Sequence, residues 1–159
     1  MNFELAIQRL CDAGVEFVVI GGWAAIFHGS ANVTNDLDIC YSRHKANLRK
    51  LAEALAPYHP RPRGFPADLP FVWDAATLAN GTAFTLTTDL GIIDLLAEVA
   101  GVGAFTEVLA ASVEVDAFGR RLRSLDLRSL IQAKKAAGRP KDLLIVPELE
   151  SLLESTEGE

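Results

Sequence analysis

Two aspartates, Asp36 and Asp38, stand two residues apart in the stretch TNDLDICY, residues 34–41. Apolar and acidic residues alternate there with the period of a strand. Leu37, Ile39 and Tyr41 therefore point one way, and Asp36, Asp38 and Cys40 the other. Carboxylates this close repel, and each raises the other's pKa unless a cation lies between them. A divalent ion resolves the conflict, and Mg²⁺ is commonly held by one or two carboxylates plus the phosphate oxygens of a substrate. The pair alone also suits a solvated strand face. A third acid, Asp94, lies inside the apolar run Gly91–Val99, where a lone charge costs several kcal/mol unless it is paired or metal-bound. Glu98 has the same parity but falls near the end of that run. Asp89 and Asp116 fall in or near turns and read as structural.

Fourteen residues before Asp36 is Gly21-Gly22. Lacking Cβ atoms, these glycines would let a triphosphate approach the backbone at the N-terminus of the helix that follows. A plain strand–helix turn accounts for them equally well.

The surrounding pattern supplies elements to position these groups. Asn2 can cap a helix over Phe3–Ala13 that Gly14 ends. Val15–Ile20 reads as a strand buried on both faces, and Trp23–His28 as a short helix closed by Gly29. Lys45–Leu55 is amphipathic, with Leu48, Leu51 and Leu55 inward. Pro57–Pro70 holds five of the seven prolines and reads as a surface loop. Ala83–Thr88 and Gly91–Val99 read as strands, Phe105–Ala111 as a short helix, and Val113–Phe118 with Arg120–Leu125 as a hairpin around Gly119. Asp126 can cap a helix ending at Ala137 before Gly138. Pro140 opens a last helix to about Leu153, which Pro147 should kink or split. The order predicts an α/β chain with a mixed sheet and a small helical C-terminal part. Residues 1–159 are expected to form one domain, its core about 1–125 and its C-terminal helices about 126–154, with an acidic tail, Ser151–Glu159, frayed at its end.

Half of the 159 residues are hydrophobic and 23% are charged, ordinary for a globular chain. No basic n-region precedes an apolar run at the N-terminus, and no apolar run approaches the roughly 20 residues a bilayer needs. The expectation is a cytoplasmic protein without membrane contact. Cys11 and Cys40 have no His at metal-site spacing, which argues against zinc. The net charge of −6 disfavours nucleic-acid binding over the whole surface. A late cluster, Arg120, Arg121, Arg123, Arg128, Lys134, Lys135, Arg139 and Lys141, leaves a local basic face open. P-loop and GxSxG patterns are absent.

Taken together, Gly21–Gly29, Thr34–Ile39 and Ile93–Leu96 resemble the nucleotidyltransferase superfamily typified by DNA polymerase β. The likeness is to its minimal prokaryotic members, including a toxin-like branch related to abortive-infection proteins. The stretch Lys134–Leu143 (KKAAGRPKDL) resembles a helix pair common in that branch, so the resemblance spans about Val15 to Leu149. It implies a nucleotidyltransferase fold and a transferase that moves NMP from an NTP such as ATP to an acceptor hydroxyl on RNA (notably tRNA), a protein or a small molecule. By that resemblance Asp36, Asp38 and Asp94 would be catalytic and would bind Mg²⁺ (or Mn²⁺), with Asp94 helping to activate the acceptor hydroxyl. Gly21, Gly22, Thr34, Lys134, Arg139 and Lys141 would contact nucleotide. A cognate antitoxin or partner protein is a further implication.

Asn32 stands where relatives often carry Arg, which keeps open a catalytically reduced nucleotide- or partner-binding module. For Lys134, Arg139 and Lys141 a solvated helix end is an equally good reading, and Asp142 suits a helix N-terminus on electrostatic grounds alone. His28 reads as a helix-end residue and Trp23 as a packing anchor.

Overall fold

The computed structural model describes residues 2–157. Helix α1 (Phe3–Asp12) starts at Asn2, whose Oδ1 accepts from the Leu5 amide (3.1 Å), and buries Phe3, Ala6, Ile7 and Leu10. Strand β1 (Phe17–Ile20) is buried throughout. It begins two residues later than its β-branched pattern suggests, because the Val15 amide closes the end of α1 on the Leu10 carbonyl (3.1 Å). Helix α2 (Gly21–Phe27) includes both glycines, so the change of direction happens at Gly21 itself rather than in a separate turn. Strand β2 (Asp36–Tyr41), helix α3 (Lys45–Leu55), a 3₁₀ turn (Ala56–Tyr58) and the short strand β3 (Arg61–Pro62) follow.

Helix α4 (Ala75–Ala79), strands β4 (Ala83–Thr88), β5 (Gly91–Leu96), β6 (Glu98–Val99) and β7 (Gly103–Ala104), and helix α5 (Phe105–Ala110) lead to the hairpin β8 (Ser112–Ala117) and β9 (Arg120–Leu125). Helices α6 (Leu127–Ala137) and α7 (Pro140–Glu157) complete the described chain. Asp126 caps α6 through Ser129 (2.7 Å), and Gly138 ends it in the left-handed conformation.

Seven strands form one mixed sheet in the order β3-β4-β5-β2-β1-β9-β8. The central neighbours β2 and β5 run parallel, as do β1 and β9, while β1 and β2 are antiparallel. The core is built from α1, β1, β2, α3, β5 and β9, with Leu37, Ile39 and Tyr41 fully buried on one face of β2. On the other face Cys40 is also fully buried, but Asp36 and Asp38 are only half-buried. The acids therefore occupy the open end of that face.

Three expectations need correction, and one helix has no counterpart among them. The proline-rich stretch is not all loop: β3 pairs with β4, and Arg61 Nη2 donates to the Pro66 and Leu69 carbonyls (both 2.9 Å), folding the loop over its own backbone. Helix α4 carries no strong apolar period and is set by its cap, Asp74 Oδ1 accepting from the Thr77 amide (2.8 Å). The Gly91–Val99 run is two strands, not one: the Ala97 amide still follows the β4 register to the Thr82 carbonyl (2.8 Å), but the chain bends there, and Glu98–Val99 pairs instead with β7, leaving Glu98 exposed.

Helix α7 does not split at Pro147 and runs past the expected end near Leu153; it is unbroken through Glu157, held by packing of Val146 and Leu149 in the core. Gly158 and Glu159 of the expected frayed tail lie outside the described residues. Pro147 is exposed and supplies no amide to the helix. Pro147→Ala is therefore expected to stabilise the protein, by up to about 3 kcal/mol, read as a raised Tm in calorimetry. A lowered Tm would show that the ring is needed to set α7 against α6.

Candidate active site

Strands β2 and β5 lie side by side in parallel, with Asp38 opposite Asp94 in register. Side chains two apart on a strand share a face, so Asp36 joins them. One carboxylate oxygen from each of Asp36, Asp38 and Asp94 comes within 4.8 Å of the others. Thr85 on β4 is the register partner of Asp94 on its far side, an additional polar neighbour that the sequence does not flag.

Oδ1 of Asp38 and Oδ1 of Asp94 are both buried without a hydrogen-bond partner. Burial first, then a hydrogen bond and charge repulsion from Asp94 and the charge of Asp36, push the Asp38 carboxyl up to about 8, with Lys134 opposing the shift. Two orphaned buried oxygens in an all-oxygen donor set fit a hard divalent cation, Mg²⁺ or Mn²⁺. The residues present are thus suited to the metal their spacing predicts.

This cluster has a measurable consequence. Free aspartate ionises near 3.9, so between about 4 and 8 the folded chain holds a proton on Asp38 that the unfolded chain has released. Unfolding free energy then falls as pH rises. The contribution is full below about 4 and is lost as pH passes about 8. In EDTA the Tm of the wild type is expected to fall across this window relative to Asp38→Asn, and Mg²⁺ should flatten the fall. Parallel Tm curves for the two proteins would refute the assignment.

The glycines have a clear structural cause. Gly21 has φ +64°, and a Cβ there would sit 2.1 Å from Asp38 Oδ2. A Cβ on Gly22 would sit 2.7 Å from Cβ and Oγ1 of Thr34. The first turn of α2 is thus pressed against the acid and the residue that leads into β2. Thr34 Oγ1 donates to the Asp36 carbonyl (3.1 Å), fixing the entry to the strand.

A cleft of about 370 Å³ opens beside the acids, lined by Gly22, Asn32, Thr34, Asp36, Asp38, Lys134, Arg139, Lys141 and Asp142, with Val33, Leu144 and Ile145. All the nucleotide-contact residues expected from sequence except Gly21 line this cleft, and Gly21 abuts Asp38 from behind. Asp142 is 1% exposed, a burial that the helix-start electrostatics read from the sequence does not explain. Asn32 is engaged with the loop before β2: Nδ2 donates to Glu148 Oε1 (2.9 Å), to which Ser30 Oγ also donates (2.5 Å). Glu148 on α7 is the residue that latches this loop, and nothing in its local sequence marks it.

The remaining cations do not form one face. Arg120 pairs with Asp12 (2.7 Å), Arg121 with Asp116 (3.1 Å), Lys135 with Glu150 (3.0 Å) and Arg128 with Glu157. Arg123 donates to Ser112 Oγ and O (2.9 and 2.7 Å). The basic cluster that the sequence left open divides between the β8–β9 hairpin and the α6–α7 pair. His28 and Trp23 are structural: His28 Nε2 donates to the Leu125 carbonyl (2.8 Å), and Trp23 packs edge-on against Phe3 and Phe118 at 5.4 and 5.9 Å. No helix among the described residues is long and apolar enough to cross a membrane.

No family model matches the sequence, and no curated protein does. Solved structures do match. The chain is similar to the lincosamide antibiotic adenylyltransferase LnuA in its lincomycin-bound form, at 13% identity and a TM-score of 0.62, covering 96% of this chain and 98% of that one. It is also similar to a Thermotoga maritima protein assigned as a nucleotidyltransferase, at 15% identity and a TM-score of 0.58, covering 97% and 89%. At these identities the likeness is one of fold: a mixed α/β sheet with the helices of a nucleotidyltransferase.

Proposed function

We propose that this chain is a metal-dependent nucleotidyltransferase that moves NMP from an NTP to an acceptor hydroxyl, releasing pyrophosphate. The observation that carries this reading is the convergence of Asp36, Asp38 and Asp94 from two adjacent strands, two of them with unpartnered buried oxygens, beside a cleft that Asp36 and Asp38 line together with cations. Asp36, Asp38 and Asp94 would hold Mg²⁺ or Mn²⁺, which when bound supplies charge neutralisation and Lewis acidity at the phosphates. Lys134, Arg139 and Lys141 bind the phosphate chain, and the first turn of α2 at Gly21 and Gly22 keeps Asp38 and Thr34 in place beside it. Asp94 receives the proton of the acceptor hydroxyl. The new oxygen–phosphorus bond forms as the bond to the β-phosphate oxygen breaks. Nucleotidyl transfer needs alignment and charge neutralisation rather than covalent help, and the site offers these.

The acceptor is a small molecule or a protein rather than RNA. Of the late cluster's cations away from the cleft, Arg120, Arg121, Arg128 and Lys135 are each paired with an acid, which leaves little positive charge there to track an RNA backbone. The cleft rim carries Val33, 90% exposed, and Leu144, 82% exposed, which suit an acceptor with apolar surface. ATP is the first donor to try, since one structure with this fold is an adenylyltransferase. A catalytically reduced module is disfavoured, because three clustered acids are costly to keep without a cation.

The test is label transfer from each α-labelled NTP, with Mg²⁺ and cell extract, beside Asp36→Ala/Asp38→Ala. Label is expected in small molecules or protease-sensitive material, and only with the acids intact. Ribonuclease-sensitive label would overturn the acceptor assignment. Absence of label with every NTP, from folded protein, would overturn the reading itself.

A further inference from the structure

Asp142 sits in the first turn of α7 between Lys141 and Leu143, both exposed, yet is itself 1% exposed. A first-turn acid serving only the helix dipole gains as much in water, and burying a carboxylate costs several kcal/mol unless it is paired. Its oxygens take three donors. Arg139 Nε donates to Oδ2 (2.6 Å) and Nη2 to Oδ1 (3.2 Å), while Lys134 Nζ lies 3.4 Å from Oδ1. Burial alone would raise the Asp142 carboxyl, but these contacts outweigh it and hold the group below the usual carboxylate range.

Lys134 comes from the last turn of α6 and Arg139 from the link into α7. Asp142 thus clasps two elements and holds both cations in the wall of the cleft that contains Asp36 and Asp38. Neither cation is used up. Arg139 is 60% exposed at its side chain and keeps Nη1 free of Asp142, and the Lys134 ammonium has donors to spare. Free in solvent, both chains would spread over many rotamers. Clasped, they are set before any ligand arrives.

The geometry points to Asp142 as a positioning residue that presents Lys134 and Arg139 as a preformed receptor for the β- and γ-phosphates of the nucleotide. This rests on the nucleotidyltransferase reading and assigns the leaving-group half of that site. A clasp that merely joined α6 to α7 would affect stability and leave phosphate affinity alone.

The test is calorimetric binding of inorganic tripolyphosphate, with Mg²⁺, to wild type, Asp142→Asn, Asp142→Glu and Arg139→Gln, with AMP as a control. Asp142→Asn is expected to weaken tripolyphosphate about tenfold (~1.4 kcal/mol), to leave AMP unchanged, and to raise KM for the NTP similarly with kcat within about twofold. Asp142→Glu should recover part of the loss. Should Asp142→Asn fail to fold, Asp142→Glu decides, since it keeps the charge that Arg139 and Lys134 need but displaces it: a partial loss of tripolyphosphate affinity supports the proposal, and unchanged affinity overturns it. Wild type that binds both NTP and tripolyphosphate beside an unchanged Asp142→Asn overturns only this inference. Wild type that binds no NTP overturns the function on which it rests, and the inference with it.

Discussion

Asp38→Asn is expected to reduce nucleotidyl transfer by 10²–10³-fold or more, roughly the scale of deleting one preorganised electrostatic group, while making the metal-free protein more stable. Both effects come from one geometry. Asp38 faces Asp94 across β2 and β5 and shares its face with Asp36, and it is the acid whose carboxyl is pushed up to about 8. Asparagine keeps the volume, removes the charge, and offers an amide that can donate to the orphaned Asp94 Oδ1. The repulsion that raised the carboxyl disappears with the charge. At pH 9 in EDTA the variant should melt above wild type, at about 2–4 °C for each kcal/mol of repulsion removed. Mn²⁺ affinity, read by electron paramagnetic resonance, should fall with activity, a readout that needs no acceptor. A variant that retains Mn²⁺ affinity and a tenth of the transfer rate would show that Asp36 and Asp94 suffice, and would remove Asp38 from the assignment.

The opposite signs of the two effects explain what could be read in the sequence and what could not. The alternation DLDICY states which side chains share a face, and the structure keeps that alternation intact. The approach of Asp94 was legible because an acid in the middle of an apolar run needs a reason. Local pattern cannot say which strand lies beside which, however. The β2–β5 pairing that brings Asp38 and Asp94 into register is a tertiary fact. Asp142 shows the same limit more sharply. In sequence it is an acid in the first turn of a helix, with a sufficient local explanation. Its burial arises only because α7 folds back along α6 and carries Arg139 and Lys134 onto it. Glu148 is equally silent until α7 meets the loop at Ser30–Asn32. Pro147 and Ala97 failed in the other direction. Packing of Val146 and Leu149 outweighed the proline, and a bend at Ala97 takes the chain from the β4 ladder to a second pairing with β7 while the apolar pattern continues. A toxin role, unlike the branch resemblance carried by Lys134–Leu143, rests on no particular residue, since it concerns a partner rather than a site.

Gly21→Ala separates the two reasons a glycine can be needed at the turn into α2. The first is backbone: φ is +64°, and a residue with a Cβ is strained there by about 1–2 kcal/mol. The second is contact: the new Cβ would lie 2.1 Å from Asp38 Oδ2 and 3.0 Å from its Cγ. Asp38 cannot simply swing away, because its other oxygen is buried beside Asp94. Either α2 lifts off the sheet or the acid moves out of line, and a misplacement of about 1 Å can cost 10²-fold in rate. Gly119 gives the control. It has φ +72° in the β8–β9 hairpin and nothing within 4 Å of a Cβ, so Gly119→Ala carries the backbone strain without the collision. Both variants should lose about 1–2 kcal/mol from φ, and Gly21→Ala about 1–3 kcal/mol more from overpacking, seen as a lower midpoint in urea. Only Gly21→Ala should lose transfer activity, by about 10²-fold, together with Mn²⁺ affinity. Activity within twofold of wild type in Gly21→Ala would mean that the carboxylate has room to move, and that the glycine pair serves the turn alone. Loss of Mn²⁺ affinity with the fold intact would show that α2 is pressed against β2 in order to hold one oxygen of Asp38 where a cation needs it.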